Sequence, residues 1–262
     1  MKLRRIYGVL LQEFYLTIHS LEIVVDVFIF PLISVVIFGL ISLYLAGSDQ
    51  NAAANYILLG MILWQAIWVI AYSVATGSMW NIWSKNLGNM FVSPLNVGEY
   101  MSAHFLSGCV KAVALLTIAD LMSVWVFGFD VLDIGLPVLL LTFVVFAAFA
   151  FAVSIAVLGL IFRFGTRVAA LSWSVITVFQ PLAATFFPLA DMPYALQVVA
   201  RLLPPTYAFE AARYGLDYGV VEWGMIGAGL ALAVVYCLIC VAFFAYLFKK
   251  SRDTGQFARN ES

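Results

Sequence analysis

The chain has 262 residues, 65% of them hydrophobic and only 10% charged, with a mean hydropathy of +1.04. A soluble domain carries about 25% charged residues, so this composition suits lipid, and no soluble domain of ordinary size can be carved out of it. A net charge of −1, spread over few and dispersed charges, also excludes a nucleic-acid-binding patch.

In chain order, residues 1–22 open with Lys2, Arg4 and Arg5 ahead of an apolar run, as a signal peptide does. No small-residue cleavage site follows before the next hydrophobic segment, which argues against one. On a helical wheel Leu3, Ile6, Tyr7, Leu10, Phe14, Thr17 and Leu21 share a face, while Arg5, Gln12 and His19 recur opposite. This predicts an amphipathic helix lying in the membrane interface, with His19 solvated or touching headgroups.

A transmembrane domain over 23–250 follows, with six apolar segments at about 23–46, 54–78, 100–127, 136–161, 167–187 and 224–248. Each meets the roughly 20 residues a spanning helix needs. Residues 47–53 and 128–135 read as short turns, 162–166 as a tight bend and 251–262 as a tail. The predicted fold is an all-α membrane protein of six transmembrane helices.

Between the second and third spans, residues 80–99 are short, moderately polar and punctuated for small helical pieces. Leu87, Met90 and Phe91 give an apolar edge, Ser93-Pro94 stops that turn, and Asn96 stands three residues before Glu99 as in a capping box. A bare connector would need only a few residues, so the segment is suited to pressing on something outside the membrane; a surface helix resting on headgroups is the plainer alternative. Near the outer third of the fifth span, Gln180-Pro181 breaks the helix. Two short helices are expected within 188–213, dipping back into the outer leaflet. The first, over Tyr194–Leu203, ends at Pro204-Pro205; the second is capped by Thr206, with Glu210 and Arg213 at pairing distance.

Basic residues lie before the first span, in 80–99, at the 162–166 bend and after the last span, whereas the opposite loops hold only Arg201 and Arg213. The positive-inside rule therefore places both termini and the 80–99 segment in the cytoplasm of a multi-pass plasma (inner) membrane protein. Cys109, Cys237 and Cys240 fall inside spans, where Cys237 and Cys240 read as packing and not as a redox or zinc pair.

Several polar or aromatic side chains sit within the spans. Lys111 lies about 15 Å into the third span; it can snorkel, face an aqueous pathway or pair with Asp26, a structural role being favoured over substrate contact. Asp120 is about half a turn of the wheel away from it, so the two do not pair. Trp64, Trp68 and Tyr72 form an i, i+4, i+8 stripe at mid-span, away from the aromatic belts, and either pack or line a pathway. No catalytic constellation, metal cluster or Gly-x-Ser-x-Gly elbow appears. No Gly-x-x-x-x-Gly-Lys-Ser/Thr occurs either, so if ATP is used another polypeptide binds it.

This arrangement resembles the ABC type-2 transporter permeases, essentially over the whole chain. Phe91-Val-Ser-Pro-Leu-Asn-Val-Gly-Glu99 is similar to the family's "SPL" stretch entering the third span, with Asn89 where an acidic residue often stands. Phe187-Pro-Leu-Ala-Asp-Met-Pro193 through Leu203-Pro-Pro-Thr-Tyr-Ala-Phe-Glu-Ala-Ala-Arg213 is similar to its signature around the external helices. The resemblance implies a half-transporter: two permease copies, expected as a homodimer, form the pathway. Two cytoplasmic ATPase subunits carrying Mg-ATP seat against 80–99, the family's coupling helix. No cofactor is then expected on this chain. The expected function is export of a lipid-like or drug-like amphiphile. A lipid-linked polysaccharide is the alternative cargo, and an ion-coupled carrier or channel using Lys111 and Asp120 the alternative class.

Overall fold

The computed structural model describes residues 3–47, 51–84, 86, 90 and 93–253. Among these every regular element is helical: α1 (Leu3–His19), α2 (Leu21–Val24), a π turn (Val25–Ile29), α3 (Phe30–Ala46), α4 (Asn51–Trp83), α5 (Val97–Phe127), α6 (Leu136–Phe164), α7 (Leu171–Leu182), α8 (Tyr194–Ala200), α9 (Pro204–Tyr218) and α10 (Trp223–Asp253). Short 3₁₀ turns cover Val131–Ile134, Gly165–Val168 and Leu189–Asp191.

Five continuous helical stretches are long and apolar enough to cross a membrane: Leu21–Leu45, Ala53–Trp83, Val97–Phe127, Leu136–Phe164 and Trp223–Asp253. The predicted fifth span, 167–187, takes another form. It is a 3₁₀ turn, then the 12-residue α7, then an irregular turn. At 1.5 Å per residue α7 is about 18 Å long, well short of the roughly 30 Å hydrocarbon core. The cause is local. Pro181 supplies no amide, and Ala184 takes a left-handed φ of 54° that ends the helical path.

Helix ends elsewhere follow from the sequence. Asn96 and Glu99 form the expected capping box: Gly98 N donates to Asn96 Oδ1 at 3.1 Å and Asn96 N to Glu99 Oε2 at 3.1 Å. Gly128, at φ 67°, stops α5, and Pro137 sits in the first turn of α6. Two boundaries differ from expectation. α4 runs on to Trp83 and α5 begins at Val97, so the connection between them is 84–96. Pro204 and Pro205 open α9 at its first positions, where no amide is needed, and the cap position is Leu203 and not Thr206.

α4 is the axis of the bundle, with 94% of its most apolar stretch buried, against 22% for α5 and 17% for α10. The helices define a near end, which carries α1 and the C-terminus of α10, and a far end, which carries the end of α3, the start of α4 and the α5–α6 turn. α6 and α10 run parallel and are fastened at the near end by Ser251 Oγ donating to Phe162 O at 2.5 Å. At the far end α9 wedges against α6, with the rings of Phe146 and Phe209 4.7 Å apart. Short as it is, α7 links the two ends. Val168, Ala169 and Leu171 pack on the near-end core, while Thr185 rests its carbonyl on Gly60 in the third turn of α4.

Candidate functional site

The first polar cluster is at the near end and was invisible in the sequence. Glu13 of α1, 4% exposed, accepts from Lys111 Nζ at 3.2 Å and lies 3.4 Å from Nδ1 of His104, which is wholly buried. Burial pushes the Glu13 carboxyl up, but His104 and then Lys111 outweigh it and hold the group at about 2. Lys111 is thus paired with Glu13 and not with Asp26, which instead accepts from the Tyr72 hydroxyl at 2.7 Å. Around this core Arg5 reaches Glu99 at 3.4 Å, and Gln12 Nε2 donates to Asn81 Oδ1 at 2.9 Å. Gly77 leaves the room for His104, since a Cβ there would stand 3.0 Å from Nδ1.

These contacts change which face of α1 is covered: Ile6 and Thr17 of the expected apolar face are buried, and Glu13 is buried with them. Arg5, Gln12 and Glu13 point into the bundle, where Lys111, Asn81 and Glu99 wait for them, while Leu3, Tyr7, Phe14 and Tyr15 face outward. An amphipathic helix buries whichever face finds partners, and in an apolar surround unpaired polar groups are the ones that must be covered. His19 remains exposed, with Nδ1 3.0 Å from Tyr15 O.

Leu87 and Phe91 lie outside the described residues. Met90 is half-buried and packs, with Leu95 and Val97, on the near-end core, while Ser93 and Pro94 are exposed and Ser93 Oγ donates to Met90 O at 2.5 Å. The segment is therefore moored to the bundle by Met90 and presents Ser93-Pro94 outward.

At the far end Glu210 and Arg213 pair as expected, at 2.6 Å, and do more than pair. Arg213 Nη2 donates to the carbonyls of Ala184 and Thr185, and Glu210 Oε1 accepts from Leu189 N at 3.0 Å, so the two side chains hold both ends of the turn that follows α7. Burial lowers the pKa of the Arg213 guanidinium, with Glu210 opposing. Asp120 accepts from Val131 N at 2.8 Å and so holds the first amide of the 3₁₀ turn after α5, whose cap is Asp130, beside an otherwise largely aliphatic cleft of about 350 Å³. Lys111 and Asp120 thus serve separate contacts and are not brought together.

The aromatic stripe of α4 borders a lateral groove between α2–α3 on one side and α7 on the other. Its far half, about 190 Å³, is lined by Trp64, Gln65, Trp68, Ser34 and Gln180. Its near half, about 350 Å³, is lined by Glu22, Asp26, Tyr72, Thr76, Trp80 and Trp173. Phe30 and Trp68 border both, so the two halves adjoin. Trp64 and Tyr72 are buried, and Trp68 is half-buried with its ring 6.4 Å from that of Tyr72. Glu22, Thr76, Gln65 and Gln180 are members that sequence reasoning missed. Pro31 is the available signal: it cannot donate to the preceding turn, and the helix before it is widened into the π turn that carries Asp26. Among the described residues no group of three His, Cys, Asp or Glu could hold a metal ion.

Five span-length apolar stretches, with α4 as their centre and a lateral groove opening beside it, define a multi-pass helical membrane protein. The family model for ABC-2 type transporters matches residues 6–216, most of the 262-residue chain. The chain belongs to that family of membrane permeases, which generally work with an ATP-binding subunit. No curated protein matches it.

Proposed function

We propose that the chain is the permease half of an ATP-driven exporter, and that an amphiphile moves along the groove beside α4. The groove is the observation that carries this reading, because it runs from the near end to Gln180, beside the Pro181 break, and is walled by aromatic rings with a few polar groups. Such lining suits an organic molecule with an apolar body. In this reading α7 and its turn form a sixth, broken crossing, held at its far end by Arg213. Both termini then face the cytoplasm, in keeping with Arg4, Arg5, Arg163, Arg167, Lys249, Lys250 and Arg252 at the near end. Two copies of the chain and two ATPase subunits holding Mg-ATP complete the transporter in the plasma membrane. An ion-coupled carrier has less support, since Lys111 and Asp120 are each engaged in structural contacts.

The test is purification of the chain coexpressed with an ABC ATPase subunit from the same organism. Wild type should retain the ATPase and show hydrolysis stimulated by amphiphiles. Replacing Phe91 with Asp would place a carboxylate in a dry contact at a cost of several kcal/mol. This variant should reach the membrane at normal levels yet lose the ATPase by at least tenfold. Transport that persists with no ATPase bound to either protein would overturn the reading.

A further inference from the structure

We infer that the near half of the groove is a recognition site for an amphipathic cation: an apolar body carrying a quaternary or protonated nitrogen. The inference rests on the proposal that the groove is the substrate path and narrows what can enter it. Glu22 and Asp26 stand one turn apart on the same wall, and among the described residues no Lys or Arg lines either half. The opposite walls are Trp68, Tyr72, Trp80 and Trp173, whose ring faces carry the negative pole of the aromatic quadrupole. A cation held between such rings gains from each face, most strongly when water is excluded. Asp26 is drawn to this wall by Tyr72, which donates to Oδ2 at 2.7 Å.

A second observation points to a ligand independently of the acids. Thr76 lines the same space, is only 3% exposed, and its hydroxyl oxygen has no hydrogen-bond partner. A buried hydroxyl without a partner is costly unless a guest or water completes it. The volume of about 350 Å³ falls in the range of organic-ligand pockets, roughly 300–1,000 Å³. The π turn places Asp26 at a break in the regular helix, where π segments recur at binding sites. An anion of the same shape would meet two carboxylates and the negative ring faces, and would be rejected.

Tetraphenylphosphonium and tetraphenylborate share one shape and differ in the sign of their charge, which makes them the probes. Each is titrated against the purified full chain in phosphatidylglycerol nanodiscs without ATPase, following tryptophan quenching and subtracting empty discs. The cation should bind saturably and at least tenfold more tightly than the anion. The Glu22→Gln, Asp26→Asn double variant should lose at least tenfold for the cation and keep its affinity for the anion. Glu22→Gln alone changes an exposed side chain, so it stays informative if the double variant does not fold, and should lose at least threefold. Equal binding of the two ions, or cation binding unchanged in Glu22→Gln and the double variant, overturns the inference. Adding phosphatidylcholine separates two sources of the same chemistry. Competition assigns the site to a lipid headgroup cation and its absence to a free amphiphile, and both outcomes support a cation site. Because no ATPase is present, the exporter reading can fail while this site stands. Conversely, ATPase stimulated by neutral or anionic amphiphiles without cation binding would sink the site alone.

Discussion

Glu13→Ala is expected to lower the stability of the folded chain by about 3–5 kcal/mol, the range for removing one partner of a buried ion pair. The change strands Lys111, whose amine is bonded to Glu13 and buried, and it leaves His104 enclosed without the carboxylate beside it. It also loosens α1 on α5, where the Arg5–Glu99 contact is left, while Gln12–Asn81 still ties α1 to α4. Thermal unfolding followed by size-exclusion in detergent reads the loss directly. Combining Glu13→Gln with Lys111→Met removes both charges, and should recover at least half of it. The pH dependence has a definite sign. Glu13 is held at about 2, below its ordinary 4.5, so its stabilisation is complete above about 4.5 and lost as pH falls towards 2. Glu13→Ala lacks that acid-side loss.

Gly60→Val should be the next most damaging change, costing at least the roughly 1–3 kcal/mol of ordinary overpacking. A Cβ at Gly60 would overlap the carbonyl oxygen of Thr185, and that obstacle is backbone. The turn cannot simply withdraw, because Arg213 holds the carbonyls of Ala184 and Thr185 from its other side. The far end of α7 must then leave α4, opening the groove beside Gln180. A lower unfolding temperature is the readout, with Gly227→Ala as control, since nothing lies within 4 Å of a Cβ at that position. The control should be neutral or slightly stabilising, as expected for Ala replacing Gly in a helix.

Apolar length was the readable part of this fold. Five of the six predicted spans correspond to helices of spanning length, because a run of more than twenty apolar residues leaves the backbone little choice in lipid. The capping box at Asn96–Glu99 and the Glu210–Arg213 pair were legible too, since both are local and set by spacing. Long-range polar partners were not. Glu13 and Lys111 are 98 residues apart, and the wheel of α1 reports that two faces differ without saying which one turns inward. Asp26 was open to the wrong partner for the same reason: Tyr72 reaches it only because α4 packs beside the π turn. The groove itself was half legible. Its aromatic stripe on α4 has helical spacing, whereas the wall formed by Glu22, Asp26 and α7 exists only once three distant segments meet.

The central claim is that ATP hydrolysed on a partner moves an amphiphile along this groove. The most direct measurement is ATP-dependent accumulation of fluorescent amphiphiles in inside-out membrane vesicles that contain the chain and its ATPase. Ser34 lines the far half of the groove, so Ser34→Trp should block the path without touching the near-end coupling segment. The account predicts that wild-type vesicles accumulate amphiphile only when ATP is added outside, and that Ser34→Trp vesicles keep the ATPase bound but accumulate at least tenfold less. Accumulation that needs no ATP, or that proceeds at the wild-type rate in Ser34→Trp, would contradict it.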